Sequence, residues 1–400
     1  MTTAPAPGTP YHRLARTERH RWWRPLLGTL LILGGTFVVL CLLAGIGTAA
    51  ALLAGRPDGP DGLPTLGTVG DLALLLATIA AALPFVLLAA RWVQARPAGT
   101  VSSVLGRLRW RWLGWCALVA VPAVLLLLGG GIGLLSLTGG TDDGGAVDSG
   151  WPGWAGFLGA LVVLLLLVPL QAAAEEYVFR GWLLQAVGAF LRTPWPAIAL
   201  QAVLFALAHG WGTGWGFVDL TIVGGVLGWL TIRTGGLEAA IALHVVTNLA
   251  SFIGAAAVGD LASEETAADA PWQMFVVSLL VHAGYAAVVL WLARRHRLPT
   301  VAPDRPTPAP SYPMPAPGHP LPGAQGYLMP APGHPLSAYP GYPTAAPGHP
   351  FPNPAHPAVA PGHPLTGPGQ PAGGTGQPTV AAPEPTQRSG AGETPIEPVD

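Results

Sequence analysis

Inside an apolar run the chain reads Ala174-Glu175-Glu176-Tyr177-Val178-Phe179-Arg180-Gly181, placing two adjacent carboxylates and a guanidinium where leucine would suit the surroundings better. On a helix Glu176 and Arg180 stand at i and i+4 with the acid N-terminal, a spacing that suits an ion pair. Glu175 then points about 100° away from Glu176, so one carboxylate can be held by the arginine while its neighbour faces elsewhere. A second apolar run ends Phe205-Ala-Leu-Ala-His209, and a third carries His244-Val-Val-Thr-Asn248, each again with i and i+4 on one face. Carboxylate, imidazole and amide are the side chains of acid–base catalysis and oxyanion stabilisation. Each residue also has a plainer reading. A lone intramembrane His or Asn often serves as an interhelical hydrogen-bond partner, and Glu176–Arg180 could be a salt bridge anchoring a span near its end. The joint occurrence on three runs is harder to explain that way, because polar groups placed in hydrocarbon should converge to satisfy one another.

The elements that must position these residues follow from composition. Hydrophobic residues make up 51% of the chain and charged residues 10%, against about 25% charged in a soluble domain. The 19 basic residues are all arginine and the net charge is −1, so there is no nucleic-acid-binding footprint overall. Cys41 and Cys116 both lie in apolar runs. They are expected to be free, inert, buried thiols, and they supply neither a disulfide framework nor a paired-cysteine metal site. The N-terminus does not read as a secretory signal, since its polar stretch through Pro25 is long and the apolar run that follows exceeds a signal's hydrophobic core.

A membrane helix needs about 20 mostly apolar residues. That length picks out eight candidates, at about 26–54, 71–93, 111–137, 154–190, 195–212, 216–233, 237–256 and 272–293. The fifth is short for a full span and is expected to tilt or re-enter. Arginine marks cytoplasmic loops. By that rule the N-terminal segment (Arg13, Arg16, Arg19, Arg21, Arg24), the second loop (Arg96, Arg107, Arg109, Arg111), Arg192, Arg233 and the segment after the last span (Arg294, Arg295, Arg297) lie inside. The acidic loops with Asp58 and Asp61, with Asp142, Asp143 and Asp148, and with Asp260, Glu264, Glu265 and Asp269 lie outside. The expected fold is an all-α, polytopic helical bundle of about eight spans with both termini cytoplasmic, in the cell membrane. Trp22, Trp23, Trp110, Trp112, Trp151 and Trp272 fall at span ends, as an interfacial belt would. Depth poses a problem. His209 lies about 21 Å along the fifth run from Trp195, whereas His244 lies only about 10 Å into the seventh from the same side.

Three segments result: a basic cytoplasmic stretch at 1–25, a transmembrane domain at 26–297, and a tail at 298–400 rich in Pro, Gly and His. The tail repeats Ala-Pro-Gly-His-Pro at 316–320, 331–335, 346–350 and 360–364. It is expected to be disordered with polyproline bias. A rival reading gives it a Pro-binding cytoplasmic partner, or weak metal binding by His319, His334, His349 and His363, though no rigid frame fixes such ligands.

Glu175-Glu176-x-x-x-Arg180, Phe205-x-x-x-His209 and His244-x-x-x-Asn248 resemble, in order, the three motifs of the CAAX-protease and bacteriocin-processing family of intramembrane proteases. The stretch Arg233-Thr-Gly-Gly-Leu before His244 is also similar to that family's approach to its last motif. The similarity covers about 150–256. The resemblance implies peptide-bond hydrolysis, with Glu175 as the base activating water, His209 helping to hold that water, His244 and Asn248 stabilising the oxyanion, and Arg180 with Glu176 fixing the geometry of the fourth span. It implies no certain cofactor. A divalent metal such as zinc could be held by Glu175, His209 and His244 with an open fourth position, and a metal-free, glutamate-dependent reaction is the favoured reading. The implied substrates are a peptide, a bacteriocin-like leader or another membrane protein, met within the lipid bilayer.

Other chemistries lack their patterns. There is no His-Glu-x-x-His, no Gly-x-Ser-x-Gly and no pair of intramembrane aspartates. Asp219 is expected to line the cavity near His209 or to cap the sixth run, and His282 to be a packing partner. The alternative in a different class is a non-catalytic immunity or scaffolding protein of the same fold. A transporter would spread charges along several spans, and here they form one local cluster.

Overall fold

A computed structural model describes residues 2–59, 62–139, 150–263 and 265–304. Asp61, Asp142, Asp143, Asp148, Glu264 and the histidine repeats of the tail lie outside the described residues. Those residues form helices and no strand, with three isolated bridges. Seven helices are long and apolar enough to cross a membrane. They are α1 (Trp23–Leu53), α2 (Thr68–Val93), α3 (Trp110–Leu137), α4 (Gly153–Gly188), α6 (Gly214–Thr234), α7 (Glu238–Val258) and α8 (Trp272–Arg295). The eighth expected span is a shorter apolar helix, α5 (Trp195–Ala208). At 1.5 Å per residue it reaches about 21 Å, less than the roughly 30 Å hydrocarbon core. The protein is a multi-pass membrane protein. Its outer helix faces expose leucine, valine and phenylalanine, as lipid-facing surfaces do.

Packing neighbours run α1–α2–α4–α7–α3–α8–α6–α5, and α5 returns against the last turns of α4, closing a ring with α1 and α2 outside it. Small residues allow the close approaches. Gly28 of α1 lies against the Trp182 ring of α4, and the indole N–H donates to Thr29 Oγ1 at 3.0 Å. Gly224 of α6 sits on Ala202 of α5, where Gln201 Nε2 donates to Gly224 O at 2.7 Å. Turn glycines end two helices in the left-handed conformation, Gly235 at φ +73° and Gly259 at φ +76°.

The segments that arginine assigns to the cytoplasm assemble on one face. Thr3 N donates to Ala95 O, Gly8 N to Ala302 O, and Tyr11 Oη to Val101 O, while Gly188 abuts His12. Leu237 N donates to Ser102 O and Ser103 bridges Gly236. On the opposite face the α5–α6 turn meets the α7–α8 loop, through Thr213 Oγ1 to Ala270 O at 2.6 Å and Thr266 Oγ1 to His209 O at 3.0 Å. The basic N-terminal stretch is therefore a packed cap, with Tyr11 and Leu14 fully buried. Ordered packing also continues past 297, since Ala302 is buried against the same cap.

Three expectations need correction. Trp110 is 71% exposed but Trp112 only 4%. Two residues turn a helix by about 200°, so Trp112 packs inside with Cys116 rather than joining the interfacial belt. Cys116 is buried as expected, whereas Cys41 is exposed on α1. The N-cap of α6 is Thr213, whose side chain accepts from Gly216 N at 2.9 Å, and Asp219 lies inside the helix. His282 is buried as a packing residue, with its Nδ1 bonded within its own helix to Ser278 O at 2.7 Å.

Candidate active site

The first motif occupies the end of a regular α-helical stretch, Gly153–Glu176, where α4 widens into a π turn over Tyr177–Leu183. Such widened turns often mark functional sites. Here the turn still brings Arg180 Nη1 to Glu176 Oε1 at 3.0 Å, with both side chains fully buried. Arg180 also lies over the Phe205 ring, 4.0 Å from its centroid, so α5 supplies the guanidinium's second partner.

His244 of α7 enters between the two carboxylates. Its Nδ1 lies 2.8 Å from Glu176 Oε1, and its Nε2 lies 3.5 Å from Glu175 Oε2. The first is a hydrogen bond and the second is too long to be one. One helical turn further, Asn248 Nδ2 donates to Gln171 Oε1 at 3.1 Å, and Gln171 Nε2 donates to Glu175 Oε1 at 2.5 Å. Glu175 thus has one oxygen anchored, while Oε2 has no hydrogen-bond partner among the described residues. Gln171 is buried and was not foreseen. Its signal was present in the sequence, an amide four residues before Glu175 in an otherwise apolar span.

His209 stands at the C-terminal end of α5, with Nδ1 2.9 Å from Phe205 O. If that nitrogen carries the proton, Nε2 is an acceptor. The imidazole is 4.7 Å from the Phe205 ring, and His244 is 5.9 Å from the same ring. So Glu176, Arg180 and His244 form one bonded group and Glu175, Gln171 and Asn248 a second, the two meeting where His244 Nε2 stands 3.5 Å from Glu175 Oε2, and both imidazoles pack on the Phe205 ring. The depth problem resolves through the ends of the helices. Glu175 lies about 20 Å from the C-terminal end of α4, matching the length of α5 before His209. Helix α7 begins beneath the N-terminal cap, with Leu237 and Glu238 fully buried, so His244 reaches the same level after fewer residues.

That buried start is held by an ion pair the sequence reading did not single out. Arg109 Nη2 meets Glu238 Oε2 at 2.6 Å, its Nε and backbone N both reach Oε1 at 2.9 Å, and Nη1 donates to Thr234 O at 3.0 Å. A Cβ on Gly236 would meet Glu238, Arg109 and Ser103 at 2.4–2.8 Å or run into them, so the Gly-Gly turn lets α3 and α7 close on each other.

Among the described residues no three His, Cys, Asp or Glu side chains are grouped so as to hold a metal ion. The set Glu175, His209 and His244 is not among such groups.

Residues 157–250 match the Rce1-like family, described as type II CAAX prenyl endopeptidase. The uncharacterized protein YyaK of Bacillus subtilis (strain 168) is 29% identical over 144 residues, 33% of this chain and 48% of that relative. The chain thus spans about half the length of the curated relative it matches. No solved structure matches. The six expected site residues, from Glu175 to Asn248, fall inside the matched segment, and over that segment the chain is similar to the Rce1-like type II CAAX prenyl endopeptidases.

Proposed function

We propose that this chain is an intramembrane endopeptidase in which Glu175 activates water and His244 with Asn248 binds the oxyanion. The observation that carries this reading is the carboxylate–imidazole–carboxylate cluster, closed by Gln171 and Asn248, at the meeting of α4, α5 and α7. Glu175 Oε2 is the base: it takes a proton as the water oxygen attacks the carbonyl carbon of the scissile peptide. The Nε2 of His209 accepts the water's other hydrogen and aims its lone pair. Negative charge then builds on the peptide oxygen. Asn248 has a second amide N–H beyond the one given to Gln171, and this donates to that oxygen. His244 donates as well when its ring carries a proton on each nitrogen, one given to Glu176 and one to the oxyanion. Collapse of the tetrahedral adduct breaks the C–N bond, and Glu175 returns its proton to the leaving amine. Arg180 holds Glu176, and through it the imidazole, so these two position rather than react. The substrate class is a peptide or membrane-protein segment reached from the bilayer.

The test is cleavage of a membrane-peptide library in proteoliposomes by wild type, Glu175→Gln and His209→Ala. Products from wild type alone, with all three folded, support the reading. Equal cleavage by all three would overturn the site assignment. Silence from all, with folded protein, would favour the non-catalytic binding role.

A further inference from the structure

We infer that the cytoplasmic face carries a seat for the phosphate of an anionic phospholipid, formed by Arg16, Thr17 and His20 against Ala189 and Phe190. These five residues line a hollow of about 400 Å³ between the N-terminal cap and the end of α4. A second hollow of about 240 Å³ shares Arg16 and adds Arg13 with the backbone of Gly8 and Thr9. Between residues 11 and 24 lie five arginines and a single acid, Glu18. No ion pair engages those arginines among the described residues.

Two polar atoms of the seat, Thr17 Oγ1 and His20 Nε2, are buried without a hydrogen-bond partner, as is Arg13 Nε beside the second hollow. A buried polar group left unpaired is costly. Several unpaired donor groups beside unpaired guanidinium charge fit a ligand with several acceptor oxygens and a negative charge, which is the chemistry of a phosphate ester.

The surroundings favour a lipid over a free anion. His20 packs edge-on against Phe190 at 4.8 Å, and Phe190 is 51% exposed. Trp22 and Trp195, a few residues beyond each wall of the hollow, are 70% and 61% exposed, and α1 continues with exposed Leu26 and Leu27. Exposed indoles at a helix start belong at headgroup depth, and basic pockets at that depth take lipid phosphates. A free phosphate would gain nothing from the apolar rim, whereas acyl chains would lie along it.

The experiment is native mass spectrometry of the full chain, released from phosphatidylcholine nanodiscs that contain a minority of phosphatidylglycerol. Wild type should retain phosphatidylglycerol in preference to phosphatidylcholine. Arg16→Gln should weaken retention about fivefold, matching the ~1 kcal/mol that one basic residue contributes near an anionic surface. Thr17→Val should weaken it too, while Arg294→Gln, on the same face but away from the hollow, should leave it unchanged. Arg16 is exposed, so its variant should keep the wild-type melting temperature. Equal losses from Arg16→Gln and Arg294→Gln would overturn the seat in favour of diffuse attraction. Displacement of phosphatidylglycerol by inorganic phosphate at matched ionic strength would overturn the lipid assignment in favour of a free anion.

Discussion

Replacing Gln171 with leucine keeps a branched, buried side chain one bond shorter and deletes both of its bonds in the cluster. The stronger is the 2.5 Å donation to Glu175 Oε1. A hydrogen bond to a charged partner contributes about 1.5–3 kcal/mol, which converts to a rate loss of roughly 10- to 150-fold if it aims the base in the transition state. Losing the base itself should cost more, on the order of 10²–10⁴. Gln171→Leu should therefore fall between wild type and Glu175→Gln. The loss should appear in kcat with KM within about twofold, because Gln171 aims Glu175 and does not hold substrate. The assay is initial-rate cleavage in proteoliposomes at several substrate concentrations. A double-mutant cycle with Asn248→Ala adds a second readout: the two residues share one bond at 3.1 Å, so their effects should be non-additive by about 0.5–3 kcal/mol. Wild-type turnover in Gln171→Leu, or a change in KM alone, would refute the anchoring role, and strict additivity with Asn248→Ala would refute the chain of contacts.

Two further expectations concern the scaffold. Arg109→Met leaves Glu238 charged and unpaired beneath the cap, and should cost about 3–5 kcal/mol, read as a large fall in melting temperature in detergent. Adding Glu238→Leu should recover most of that loss, and a single variant as stable as wild type would show the pair to be unimportant. His12 is buried in the cap beside Arg13, and burial first, then that charge, lowers its pKa. The unfolded chain therefore binds the proton more readily, so stability is complete above the ordinary imidazole pKa and declines as pH falls through it. His12→Gln should flatten the melting-temperature profile between about pH 7.5 and 5.5, near the reference value of about 6.5; an unchanged slope would place the acid sensitivity elsewhere.

The spans were legible because lipid imposes a one-dimensional rule, about 20 apolar residues per crossing, and the arginine-bearing segments do gather on one face. Helix bounds moved by only a few residues, except that the fifth run ends at Ala208 and falls short of a span. The i, i+4 spacing also foretold Glu176–Arg180, which depends on local geometry alone. Gln171 escaped notice because a lone amide in an apolar run has no charge to flag it. Arg109–Glu238 escaped because its partners are 129 residues apart and each sits at a helix end, where a solvated charge is ordinary. Trp112 misled because an interfacial tryptophan and a core one two residues later differ only in helix face.

Composition and spacing by themselves determined that this is a multi-pass helical membrane protein with arginine on one side, and which polar residues its hydrocarbon-facing runs cannot hide. Those properties are additive along the chain, residue by residue. Which nitrogen of His244 faces which carboxylate, that the imidazoles of His209 and His244 both pack on the Phe205 ring, and that α7 begins below the cap were decided only by tertiary packing. They depend on the rotation, depth and end-point of helices relative to one another, and helices packed in lipid set these through small-residue contacts and buried polar pairs that no single run of sequence contains.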